Sequence, residues 1–225
     1  DGIADGCDVL IDVDDDGVDG AGDNRGYVHL WEYDPETTNW SWSRLGASDG
    51  FEEDNFGEAV AISGDRLVIG APNDDDGELN SGSAYVFEYD GKTWVETAKL
   101  TASDGANQME FAQSVAIDGD TIVIGSSNDQ VDNGARDSVY IYELIDESWA
   151  EQKLVSTNVP PLADFGEAVA VSHRNVVVGV PGYEEKSGAD IGTAVMYSRY
   201  SVYNEAVGAF YYNMNSALGE AGPGD

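Results

Sequence analysis

The residues best arranged for chemistry are acidic. The stretch Asp12-Val13-Asp14-Asp15-Asp16-Gly17-Val18-Asp19-Gly20-Ala21-Gly22-Asp23 carries Asp at its first, third and fifth places and Gly at its sixth. That spacing turns hard oxygens toward one point, and the glycine permits the sharp bend that convergence needs. Calcium is the ion such a set selects, because it takes six to eight oxygens at about 2.3–2.6 Å and requires neither nitrogen nor sulfur. Asp12, Asp14, Asp16, Asp19 and Asp23 are the ligand candidates. A shorter run, Asn73-Asp74-Asp75-Asp76-Gly77, offers a second site through Asn73, Asp74, Asp75 and Asp76. Farther along, Asn128, Asp129, Asp132 and Asn133 keep oxygen donors but lose the compact run. The competing reading of all three is that Asp and Asn form solvated turns by bonding their own backbone. Adjacent carboxylates repel, however, and a cation that neutralises them stabilises the fold, so a calcium-dependent melting temperature is expected.

Other chemistries find little support. The single cysteine, Cys7, can make no intrachain disulfide, and the two histidines, His29 and His173, stand apart from any second ligand cluster. HExxH, CxxC and the phosphate-binding GxxxxGK[ST] are all missing. Asp and Glu pairs are too numerous to single out an acid and a base, so no enzyme activity is expected. The rival is a hydrolase or lyase acting on carbohydrate, which would need two carboxylates about 5–9.5 Å apart in a cleft. Against 10 Lys+Arg stand 44 Asp+Glu, a net charge of −34. Such a field repels phosphate backbones and anionic headgroups, so neither nucleic acid nor membrane insertion is expected. No apolar run reaches the roughly 18 residues of a membrane-spanning helix, and a chain beginning at Asp1 reads as a mature or trimmed piece.

The elements that position the acidic loops repeat. Phe56-Gly57-Glu58-Ala59-Val60-Ala61-Ile62, Phe111-Ala112-Gln113-Ser114-Val115-Ala116-Ile117 and Phe165-Gly166-Glu167-Ala168-Val169-Ala170-Val171 start 55 and 54 residues apart. Each is followed by a second apolar run ending in Gly70, Gly125 or Gly179, then by a third around Tyr85, Tyr140 or Val195. Trp40, Trp94 and Trp149 mark a fourth. Four short runs rich in Val, Ile, Tyr and Trp, broken by Gly, Asp and Asn, make an antiparallel four-stranded unit. Four such units, approximately residues 1–50, 51–105, 106–158 and 159–210, predict an all-β chain: a β-propeller over residues 1–213 with a tail at 214–225. Blades bury both faces, so their inner strands read as nearly continuous apolar runs. The glycines that close the second runs suit a crowded backbone or a positive φ.

Phe56-Gly57, then Gly70-Ala71-Pro72, then Asn73-Asp74-Asp75-Asp76-Gly77, resemble the FG-GAP repeat of integrin α-subunit propellers and of many secreted proteins. The likeness covers roughly residues 8 to 200, with departures at Phe111-Ala112, at Gly125-Ser126-Ser127 and at Gly182-Tyr183-Glu184-Glu185. It implies a propeller with calcium between the second and third strands of a blade; at the ninth place of the first loop, where that pattern has Asp, this chain has Gly20. It also implies an extracellular, secreted or cell-surface role in adhesion, recognition or assembly, with a protein or glycan ligand. The sequon Asn39-Trp40-Ser41 is compatible with glycosylation at Asn39. The doubled Trp40 and Trp42 suit an exposed contact.

The first unit starts in mid-blade, since Val9-Leu10-Ile11 aligns with a second strand. Tyr203 to Phe210 resembles a first strand and would close a four-bladed ring if it joined that blade. Alternatively it is the outermost strand of the last blade. The third possibility is donation to a neighbouring chain, giving a homo-oligomer or a fibre, in which case the chain is a repeating subunit of an extracellular filament or coat.

Overall fold

The computed structural model describes residues 8–10, 25–127, 137–155, 159, 163–173, 175–184, 192–204 and 209–216. Their strands form four antiparallel sheets in chain order. The first holds β1 (Asp8–Leu10), β2 (Val28–Asp34) and β3 (Asn39–Leu45). The second holds β4 (Ala59–Ser63), β5 (Arg66–Ala71), β6 (Ser83–Tyr89) and β7 (Trp94–Leu100). The third holds β8 (Ser114–Asp118), β9 (Thr121–Ser126), β10 (Ser138–Ile145) and β11 (Ser148–Val155), and the fourth β12 (Val169–Ser172), β13 (Asn175–Val180), β14 (Thr193–Asn204) and β15 (Ala209–Ser216). Each strand pairs with its neighbour in sequence, and no helix occurs among the described residues. The first two strands of each full sheet are joined by a two-residue turn whose first residue, Gly64, Gly119 or His173, has φ between 53 and 57°. That left-handed start matches the twist of a tight hairpin.

Period-two alternation explains how the sheets stack. In β5, Leu67 and Ile69 face the first sheet, joining Val28, Leu30 and Leu45 in one core, while Val68 faces the third sheet. In β9, Ile122 and Ile124 face back toward the second sheet and Val123 faces the fourth. Both faces of these strands are therefore dry, which is why they read as unbroken apolar runs. The strands β4, β8 and β12 lie side by side in that order, the arrangement of inner strands around a propeller axis.

Each core is plugged by the repeating phenylalanine, which is almost wholly buried at 56, 111 and 165. Phe56 meets Tyr85 and Phe87 edge-on at 5.4 and 6.2 Å, Phe111 meets Tyr140 and Tyr142 at 5.3 and 6.2 Å, and Phe165 meets Tyr197 at 6.3 Å. The following residue bonds back through its amide to the carbonyl of the glycine one before the end of the second strand: Gly57 to Gly70 at 2.9 Å, Ala112 to Gly125 at 3.1 Å and Gly166 to Gly179 at 3.1 Å. At Gly70 and Gly125 the expected choice is settled as crowding. Gly70 and Gly125 have ordinary φ, but a Cβ there would strike the carbonyl of Ala112 or Gly166 in the next sheet.

The two ends differ from the interior. Tyr203 and Asn204 finish β14, and Ala209 and Phe210 begin β15, which pairs with β14 as the fourth strand of its own sheet and continues past residue 213. Closure of the first sheet by this segment is therefore corrected. A hairpin partner adjacent in sequence demands far less loop-closure entropy than a strand carried across to the first sheet. The first sheet has three strands among the described residues. Its His29, Trp31, Tyr33, Trp40 and Trp42 lie on one face in two ring groups, with His29 and Trp31 5.6 and 6.4 Å from Trp42 and Tyr33 5.2 Å from Trp40. In the second sheet the matching face, bearing Tyr85, Phe87, Tyr89 and Trp94, packs on Phe56 and the first sheet. In the first sheet the face is open, with Trp40 48% and Trp42 61% exposed. At the opposite end Val177 and Met196, cross-strand partners, are likewise exposed.

Candidate functional site

The connection between β5 and β6 folds around Asp74. Its amide bonds to the Ala71 carbonyl at 3.2 Å, its carbonyl accepts from the Gly82 amide at 2.9 Å, and its Oδ1 accepts from the Asp76 amide at 3.0 Å, a side-chain-closed turn. This buries the Asp74 carboxylate and leaves Asp75 and Asp76 exposed. A third carboxylate, Asp49, arrives from the connection between β3 and β4. That connection is anchored by Ser48, whose amide and hydroxyl donate to the two oxygens of Glu96 on β7 at 2.9 and 2.8 Å. One oxygen each from Asp49, Asp74 and Asp76 lies within 4.8 Å of the others, a set that could hold a metal ion.

Lys99 of β7 enters this set. Its Nζ lies 2.8 Å from Asp49 Oδ2 and 2.9 Å from Asp74 Oδ2, and it also bonds Asp76. The cross-strand register places Lys99 opposite Tyr85, so the ammonium sits 5.1 Å over the Tyr85 ring. The Tyr85 hydroxyl lies 2.6 Å from Asp74 Oδ2 and 2.8 Å from Asp49 Oδ1, two acceptors sharing its one proton. Burial pushes the Tyr85 phenol well above its usual range, and the two carboxylates push it further. Burial disfavours the Lys99 ammonium, but hydrogen bonds to Asp49, Asp76 and Asp74 more than offset this and hold its pKa above the ordinary lysine value. Burial likewise raises Asp49, yet bonds from Lys99 and Tyr85 keep it below the usual carboxylate range. Behind the loop, the buried Asp54 accepts the Phe51 amide at 2.5 Å. Desolvation, opposed by that bond and reinforced by Asp74, Asp75 and Asp76, pushes its pKa up to about 6.

The third sheet repeats the frame. Asp104 takes the Tyr140 hydroxyl at 2.8 Å and the Lys153 ammonium at 2.7 Å, with that ammonium 5.1 Å over the Tyr140 ring. Ser103 donates to Glu151 at 2.9 and 2.6 Å, as Ser48 does to Glu96. Burial raises Asp104, but Lys153 and Tyr140 hold it low.

Of the residues expected to bind metal, Asp74 and Asp76 converge, Asp75 is exposed and not part of the set, and the Asn73 backbone amide donates to the Asp54 carbonyl at 3.2 Å. Asp12, Asp14, Asp16, Asp19 and Asp23 lie outside the described residues, as do Asn128, Asp129, Asp132, Asn133 and Cys7. Asp12 to Asp23 falls in the connection between β1 and β2, the counterpart of the one between β5 and β6. Asn39 opens β3 and is exposed. Asp49, Tyr85 and Lys99 escaped the sequence reading because they come from three separate elements. A signal did exist: Ala-Ser-Asp-Gly stands at both 47–50 and 102–105, and Lys99 and Lys153 follow in step with the period.

Sheets of antiparallel strands, stacked through shared cores with their inner strands side by side, are the blades of a β-propeller. Within this architecture, residues 41–87 and 94–142 match the family model of the FG-GAP repeat, and those stretches are FG-GAP repeats. Each match begins on the last strand of one blade and ends within the third strand of the next, so the sequence repeat straddles two sheets. No curated protein matches the chain.

The calcium ion implied by this type of repeat does not fit between β5 and β6 with Lys99 in place. The three carboxylates face an ammonium at hydrogen-bond distance, and a calcium ion needs those oxygens at about 2.3–2.6 Å together with several more.

Proposed function

We propose that the chain is a non-enzymatic, extracellular propeller module that recognises a partner, a protein or a glycan surface, through the open aromatic face of its first blade. The observation that carries this reading is the strip His29, Trp31, Tyr33, Trp40 and Trp42, because the same face of the next blade is covered by a phenylalanine plug and a neighbouring sheet. Exposed tryptophans hold large contact area at little conformational cost and are enriched at binding hot spots. FG-GAP repeats are typical of extracellular proteins, which supports that localisation. Calcium is assigned to the Asp12–Asp23 run, whose residue pattern suits it and whose connection is the one the repeat reserves for the ion.

Sedimentation of the wild type and of a Trp40→Ala/Trp42→Ala variant, in calcium and in chelator, tests both parts, alongside binding to immobilised glycans and extracellular matrix proteins. Recognition predicts a ligand bound by the wild type and lost in the double variant. A concentration-dependent oligomer lost in the variant would instead favour the repeating structural subunit, the second reading supported by the same face. Identical behaviour of both proteins in every assay would sink the assignment of the face, and a wild type whose melting ignores calcium would sink the metal.

A further inference from the structure

We infer that Lys99 is the resident cation of the second blade: its ammonium fills the point on which Asp49, Asp74 and Asp76 converge and closes that rim without metal. The inference touches the calcium reading above only by contrast, since it concerns a different loop. Three observations carry it. An ammonium has three donors, and the three carboxylates supply three acceptors, so the head group is saturated. Delivery is by register and not by chance rotamer, because Lys99 is the cross-strand partner of Tyr85 and lies along its ring. The next blade places Lys153 on Tyr140 and Asp104 in the same way, so the device recurs with the repeat.

The first blade differs at this position. Its register sets Arg44 opposite His29, and among the described residues the guanidinium stacks 4.1 Å over Tyr27 and joins no carboxylate set. The tethered ammonium also brings an advantage over a free ion. Its entropy of immobilisation is met once, by the folding of β7, and its presence does not depend on the surrounding calcium concentration. Displacing it would strand a lysine beside a doubly charged ion, a like-charge contact that opposes metal entry.

The test uses the full chain with the first loop silenced by Asp14→Asn/Asp16→Asn. In this background calcium and chelator should give the same melting temperature. Adding Lys99→Met should lower the melting temperature in chelator and make it rise again with calcium, with a Kd in the range of about 10⁻⁴–10⁻³ M found in extracellular modules. Asp76→Asn, added last, should abolish that rescue. A calcium response in the Lys99-containing background that Asp76→Asn removes, or no calcium response after Lys99→Met, overturns the inference. Should Lys99→Met fail to fold, the wild type decides: the Lys99 ammonium should give a protected Nζ resonance at neutral pH that millimolar calcium leaves unmoved, and its displacement by calcium would overturn the inference. Calcium binding by the intact first loop is read separately in the wild type, so the two assignments fail independently.

Discussion

At the scale of single residues, the second blade separates its carboxylates by environment. Asp49 is stabilised as an anion by Lys99 and Tyr85, whereas Asp54, buried and surrounded by Asp74, Asp75 and Asp76, is pushed up to about 6. Its folded pKa exceeds the ordinary carboxylate value of 3.8, so the folded state holds the proton more tightly. The stability this contributes is complete below 3.8 and is lost as pH rises through about 6. Asp54→Asn keeps an acceptor for the Phe51 amide and removes the charge. We expect it to melt higher than wild type above pH 6 and to flatten the pH dependence between 3.8 and 6. Thermal melts across that window check it, and an unchanged slope would mean that Asp54 is not the group responsible. The acidic residues were visible in the sequence, but their division was not, because burial and the company of Lys99 are decided by chain segments 25 to 50 residues away.

At the scale of elements, strands and their order were legible because short apolar runs, turn residues and the 54–55-residue repeat all agreed. What escaped was the straddling loop. The segment carrying Asp49 precedes β4 in sequence, yet its carboxylate meets a turn between β5 and β6 and a lysine on β7. Blade-to-blade contact also depends on small residues. Gly70 sits against the Ala112 carbonyl of the next blade, whereas Gly179 meets only Ala168 of its own sheet, with no approach under 3.3 Å. Gly70→Ala is therefore expected to destabilise by about 1–3 kcal/mol, the range for overpacking a filled site, and Gly179→Ala by clearly less. Chemical denaturation of the two variants gives the comparison, and equal losses would argue against crowding as the reason for these glycines. Arg66 adds a second link between the same blades, pairing with Glu88 at 2.8 Å and reaching the Gly119 carbonyl and Asp120 at 2.8 and 3.0 Å. These bonds lie at the rim and are worth less than the glycine fit.

At the scale of the whole molecule, net charge and unburied faces set the behaviour. A chain of net charge −34 repels itself in the folded state. Screening weakens that repulsion, since the Debye length is about 10 Å at 0.1 M and about 3 Å at 1 M salt. The melting temperature should accordingly rise with sodium chloride in the presence of chelator, and a fall would show that the ion pairs of Lys99, Lys153 and Arg66 outweigh the general repulsion. The first blade exposes aromatic rings where its neighbour buries them, and the fourth exposes Val177 and Met196. Both faces carry residues suited to burial.

The sequence by itself determined the strand pattern, the four-stranded unit, the propeller class and the position of the acidic runs, because each depends on short apolar runs and turn chemistry repeated at a fixed period. Tertiary structure alone decided which carboxylates meet, that a lysine stands among Asp49, Asp74 and Asp76, and that the C-terminal strand serves its own blade. The physical reason is that charge neutralisation and face burial act between groups distant along the chain, whose separations appear only when the blades are stacked.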